Sequence, residues 1–235
     1  MILIDKLHKN ISASQIRIKR STRARRLALR LDPKARVVNL VVPRGISEAR
    51  ALAFAAEQQD WIAGRLSALP QPIAYEDGAI VPILGRNRVL SITFDPSLKT
   101  TSITLHRKEL LVFTNKEDPT SRIQRFLREL ARDTLTMLCH EKAALIGKKV
   151  KTIHIRDTKS RWGSCAPGGR LSFSWRLIHA PYESLDYVAA HEVAHIRHMN
   201  HGPRFWALCE ELSEDYEGGK GWMRANAQEL MRFGA

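Results

Sequence analysis

The sequence predicts an α+β protein, and three observations carry that prediction. Short segments of alternating character, separated by Gly, Asn, Asp and Pro, fill residues 1–117. Apolar side chains at helical spacing dominate residues 118–235, and within them the run His191-Glu192-Val193-Ala194-His195 falls on a helical stretch. The expected organisation is therefore a β-rich N-terminal region with one helix over residues 1–117, followed by a region over residues 118–235 that carries the chemistry. With 235 residues, 44% of them apolar, the chain has the material for a buried core.

The elements are justified in order. Residues 15–19, 26–31 and 37–42 read as three short strands, with Asp32-Pro33-Lys34-Ala35 as the turn between the last two, so the chain should open as a meander. Residues 47–66 have helical composition with Leu52, Ala55, Ala56, Trp61 and Ile62 as apolar positions and Ser47 as the N-cap candidate; Pro70-Gln71-Pro72 ends the segment. Residues 80–84, 88–94, 102–105 and 110–113 read as further strands. Residues 120–146 carry a long stripe of Ile123, Phe126, Leu127, Leu130, Leu135, Leu138 and Leu145, which predicts a long helix. Residues 151–157 and 170–177 alternate as strands. In the second of these, Leu171, Phe173, Trp175 and Leu177 share one face and Ser172, Ser174 and Arg176 the other, and such a strand can pair with an extended peptide.

The next helix is the informative one. Pro181 stands at its start, Glu183 and Asp186 sit near its positive end, and good helix formers follow up to His191. Side chains four apart lie one above the other on a helix, so His191 and His195 can hold one ion. Glu192 lies beside that ion, where a carboxylate can take a proton from the attacking water. Asn200 tolerates the left-handed conformation that ends many helices, and a turn there brings His201 back as a third donor. Three nitrogen ligands and one open position make a catalytic site, with zinc as the expected metal. Two alternatives for the third ligand stay open: His198, rotated onward from the shared face, and a carboxylate from Glu210, Glu211 or Glu214. The spacing from His195 to His201 matches the metzincin pattern, but His198 stands where that pattern has Gly.

Charge and cysteine usage set further expectations. The net charge is +14, and residues 1–30 hold nine Lys or Arg against Asp5 alone, densest at Arg23, Arg25 and Arg26. Such a segment can make non-specific nucleic-acid contact through phosphates, or serve simply as a solvated strand face. Cys139, Cys165 and Cys209 are odd in number and lack a C-x-x-C pair, which points to reduced thiols. No stretch reads as a signal sequence or a membrane span, so the expected location is cytoplasmic, with a protein or peptide substrate and no membrane partner.

The run from Arg156 through Asp157-Thr158-Lys159-Ser160-Arg161-Trp162-Gly163-Ser164-Cys165, then Trp175-Arg176-Leu177, Tyr187-Val188, His191 to His195 and Asn200-His201-Gly202-Pro203-Arg204-Phe205-Trp206 resembles the YgjP-like metallopeptidase family, related to SprT-like zinc proteases. The His201-Gly202-Pro203 run is closer to the SprT-like proteins. The resemblance implies a zincin-like catalytic region with an H-E-x-x-H helix, zinc as cofactor, His191, His195 and His201 as ligands and Glu192 as base. Read by themselves, Trp162, Gly163 and Cys165 have structural roles, packing and a bend. Arg156, Lys159 and Arg161 are candidates for stabilising the oxyanion of a tetrahedral intermediate.

Two classes of function follow. One is a zinc metallopeptidase that hydrolyses peptide bonds with a metal-activated water and Glu192 as general base. The other is a zinc-containing nucleic-acid or protein binding module without peptidase activity. A structural zinc site needs no carboxylate next to its ligands, so Glu192 favours the first.

Overall fold

The computed structural model describes residues 15–158 and 161–234. Their contacts divide the chain into two units, Met1–Gln71 and Pro72–Ala235. The composition change near residue 117 lies inside the second unit, where the strands that precede it share a buried core with the long helix that follows.

In the first unit, β1 (Ile16–Ser21), β2 (Ala28–Asp32) and β3 (Val37–Pro43) form a sheet in the order β1-β3-β2. β1 runs parallel to β3, so the expected meander is corrected: β3, the most apolar strand, takes the centre and accepts both neighbours. Val38, Leu40 and Val42 of β3 share a buried cluster with Ala51, Ala55, Ile62 and Leu66. Ser47 caps α1 (Glu48–Glu57) by accepting the Arg50 N–H, and the expected single helix breaks at Gln58 before α2 (Gln59–Ser67).

The second unit holds two sheets. β4 (Ile80–Ile83), β5 (Arg86–Phe94), β6 (Ser102–Leu105) and β7 (Glu109–Thr114) are ordered β4-β5-β7-β6, with β5 and β7 parallel. α3 (Thr120–Leu145) buries one stripe along its whole length. Ile123, Leu127 and Ala131 pack with Leu90, Leu110 and Val112 of that sheet, whereas Leu135, Leu138, Cys139 and Ala143 join the core around the next helices. The spacing of four or three residues keeps every one of these on the same side.

The second sheet, β8 (Thr152–Arg156), β9 (Gly163–Ala166) and β10 (Arg170–Ser174), has the order β8-β10-β9. β10 stops at Ser174, three residues short of the expected strand end, and the chain turns through a 3-10 segment, Trp175–His179. Arg176 is correspondingly not on a solvent face: it is fully buried, donates from Nε to Asp157 at 3.0 Å and donates to the Phe233 carbonyl. Because β10 is central, the peptide-pairing role expected of it is also corrected. β8 and β9 are the edge strands, and β9 is the one beside α4.

α4 (Tyr182–Arg197), α5 (Pro203–Leu212) and α6 (Tyr216–Asn226) complete the unit. The β4–β5 hairpin tip docks at the start of α4, where the Leu84 and Gly85 N–H groups donate to the Ile178 and Ala180 carbonyls at 2.8 and 3.1 Å. Gly85 has φ +74, and a side chain there would press on Pro181 Cα at 3.3 Å. At the other flank, Asp186 is buried in an ion pair with Lys142 of α3 and accepts the Glu214 N–H at 2.8 Å, so α4 is held on both sides. No helix of the described residues is long and apolar enough to cross a membrane.

Candidate metal centre

The 16-residue helix α4 presents His191 and His195 on one face. It ends at Arg197, with His198 extended at φ −128. Asn200 does not adopt the left-handed conformation expected of it; the extended His198 makes the turn instead. The short link to α5 then carries His201 back over α4. The ring-nitrogen donors of His191, His195 and His201 all lie within 4.8 Å of one another, and they form the single metal-competent group of this kind among the described residues. Glu210, Glu211 and Glu214 are exposed and outside that group. His198 is outside it too, but its carbonyl accepts from His195 Nδ1 at 3.1 Å.

The geometry fits a metal ion. His191 Nε2 and His201 Nε2 lie 3.2 Å apart, close to the roughly 3.3 Å edge of a tetrahedron with metal–nitrogen bonds of about 2.0–2.1 Å. The bond from His195 Nδ1 to a backbone carbonyl fixes the tautomer that leaves Nε2 free to ligate. Burial lowers the His191 imidazole to about 4, with His195 and His201 adding to the effect, and burial lowers His195 as well. Both rings are therefore neutral near pH 7, the form that binds metals.

Two aromatic side chains that sequence reasoning left without a role hold these rings. Phe205 is fully buried, and its ring centroid lies 4.9, 4.5 and 4.7 Å from those of His191, His195 and His201. Trp206 stacks on His201 at 5.3 Å with an interplanar angle of 21°. Both come from the first turn of α5, which Pro203 opens. Their position just after the third His was the available signal.

Glu192 is 5% exposed, and burial pushes its carboxyl up to about 7 while the Arg161 guanidinium pulls it the other way. Its side chain occupies the space beside Gly163. A β-carbon at that position would lie 2.7 Å from Glu192 Cγ and 2.8 Å from Cδ, closer than packed carbons approach. Gly163 is thus the first residue of β9 rather than a bend, and its missing side chain makes room for Glu192.

The remaining candidates separate. Arg161 is the one whose charge reaches Glu192. Arg156 lies on the face of β8 opposite to the core-packed Ile153 and Ile155, and lines a cavity on the outer side of the sheet. Lys159 lies outside the described residues. Cys139 and Cys209 are buried and Cys165 half-buried, all three free, and burial raises each thiol. None belongs to the histidine group.

Three converging imidazoles, two of them on the helix that also carries a buried carboxylate, are the equipment of a metallopeptidase. The chain belongs to the YgjP-like family, whose metallopeptidase domain matches residues 25–226. It is also similar to the crystal structure of the metallopeptidase zymogen of Pyrococcus abyssi abylysin, at 19% identity and a TM-score of 0.36, over 42% of this chain and 97% of that one. Comparison with curated proteins gives no match.

Proposed function

We propose that the protein is a zinc-dependent peptidase whose catalytic region lies within residues 118–235, with His191, His195 and His201 as the zinc ligands and Glu192 as the general base. The observation that carries this reading is the 3.2 Å approach of His191 Nε2 to His201 Nε2, with the buried Glu192 carboxylate outside the histidine group on the same helix as His191. Zinc held by three imidazoles supplies Lewis acidity to a water and to the peptide carbonyl. Glu192 removes the proton of the attacking water and returns it to the leaving amine. Its low exposure, 5%, keeps bulk water from competing for that proton. Arg161 is the cation nearest this carboxylate by electrostatic effect, and it is our candidate for stabilising the oxyanion. The peptide lies along the edge of β9, the strand whose first residue, Gly163, packs against Glu192.

The test is hydrolysis of a quenched fluorescent peptide mixture by the full chain. Activity should vanish with a chelator and return with added zinc. Cleavage that ignores the chelator, or none by the zinc-loaded protein, removes the proposal. The binding-module alternative needs ligands but gives Glu192 no task. For the basic segment, Lys19, Arg23 and Arg30 line a cavity of about 380 Å³ in the first unit, and Arg25 and Arg26 are exposed beside it. We assign it salt-sensitive, sequence-indifferent phosphate contact. Duplex binding that survives replacement of Arg23, Arg25 and Arg26 by Ser would end that assignment.

A further inference from the structure

The outer face of the β8-β10-β9 sheet carries a cavity of about 510 Å³ whose lining contains none of the three histidines and shares only Arg161 with the proposed catalytic machinery. Register puts His154, Ser172 and Ser164 abreast across its three strands, and Arg170 next to Ala166 one step along. Arg156 and Arg161 complete a lining with three guanidinium groups and no carboxylate among the described residues. Neither Arg156 nor Arg170 is held in an ion pair among those residues, so both are available to an incoming anion.

The strand that floors this cavity is the one that flanks the metal centre. Gly163 and Cys165 of β9 face α4, where Glu192 fills the space at Gly163, while Ser164 and Ala166 face the cavity. A polypeptide paired along the edge of β9 alternates its own side chains between the same two faces. Those on the outer face must cross Ser164 and Ala166 to meet anything else. Both are small, so a carboxylate on the substrate can extend over them to Arg170 and Arg156, whose planar forks match it.

We propose that this cavity is a specificity subsite that selects peptide substrates with Asp or Glu side chains at alternate positions near the scissile bond. The inference rests on the peptidase reading and on a substrate lying along β9. A peptide is favoured over a nucleic acid because Ser164 and Ala166 of the pairing strand themselves line the cavity, so a paired chain directs alternate side chains into it.

The test uses the full, zinc-loaded chain carrying Glu192→Gln, with labelled peptides that differ only by Glu, Gln or Lys at two alternate positions. The Glu peptide should bind about tenfold more tightly than the Gln peptide, roughly the ratio that one charge-assisted contact supplies, with the Lys peptide weakest. Arg156→Gln with Arg170→Gln should bring the three affinities together. Arg170→Lys, which keeps the charge and loses the fork, should retain part of the preference and controls for folding. Equal affinities for the three peptides overturn the proposal, as does a preference intact in the double variant. It is equally overturned if a single-stranded oligonucleotide displaces the Glu peptide, binds more tightly than it does, and depends on the same two arginines. A Glu peptide that is bound selectively but never cleaved by the wild-type, zinc-loaded chain counts against hydrolysis and leaves the subsite standing.

Discussion

Glu192 fills the space in which residue 163 would otherwise carry a side chain, so the rotamer of the proposed base is set by the absence of a methyl group on β9. Adding that methyl would place it 2.7 Å from Glu192 Cγ. Gly163→Ala should therefore displace the carboxylate while leaving the three histidines in place. The expected result is a fall in kcat of roughly 100-fold, the cost of misplacing a reacting group by about 1 Å, at unchanged zinc content. A wild-type rate for this variant would mean that Glu192 is not held there.

His191→Ala, His195→Ala and His201→Ala should each weaken zinc binding by more than about 100-fold, since each removes a ligand rather than an outer partner. His198→Ala should leave it nearly unchanged, because residue 198 offers its backbone carbonyl to His195 and not its ring. Zinc titration against a competing chelator measures this. Retention by His201→Ala together with loss in His198→Ala would reassign the third ligand.

The second half of the chain shows what a sequence can and cannot display. The four-residue spacing of His191 and His195 survives in any helix, and the stripe of α3 is regular enough to be read directly. β9 is a different case. Gly163, Ser164, Cys165 and Ala166 are small and carry no β-branched or aromatic signal; the strand exists because β10 offers it an edge and α4 offers it a carboxylate to accommodate. Trp175 to His179 are apolar enough to continue β10, and only the 3-10 turn that buries Arg176 against Asp157 ends it. The parallel pairing of β1 with β3 and the break at Gln58 depend on packing that no local pattern encodes.

Asp186 was legible only as an acid near a helix start, whereas it is completely buried against Lys142, whose ammonium also donates to the Leu212 carbonyl at 2.6 Å. Asp186→Ala leaves that ammonium buried without its anion and should cost about 3–5 kcal/mol of stability. Urea denaturation measures the loss. A cost below about 1 kcal/mol, the range of an exposed pair, would contradict the buried linkage.

His179 predicts an acid dependence. Its Nδ1–H donates to the Pro82 carbonyl at 2.8 Å, so Nε2 accepts from the Tyr75 hydroxyl at 2.9 Å and the ring is neutral. Burial, the largest cause, lowers its pKa from 6.5 to about 3. The unfolded chain therefore takes up the proton first as pH falls. The stability contributed by neutral His179 is complete above 6.5 and is lost progressively as the pH drops toward 3, at about 1.4 kcal/mol per pH unit. His179→Gln should flatten the pH dependence of unfolding by that amount between about pH 6 and 4. Equal slopes for the two proteins would mean that the folded state protonates this ring freely.

The most direct measurement is the rate of peptide hydrolysis by Glu192→Gln at full zinc occupancy. The substitution keeps the size of the side chain and all three histidines, so zinc content and unfolding midpoint should match the wild type. The rate should fall by roughly 100- to 10,000-fold, the contribution of a positioned general base. Wild-type hydrolysis by a zinc-loaded Glu192→Gln protein would contradict the account.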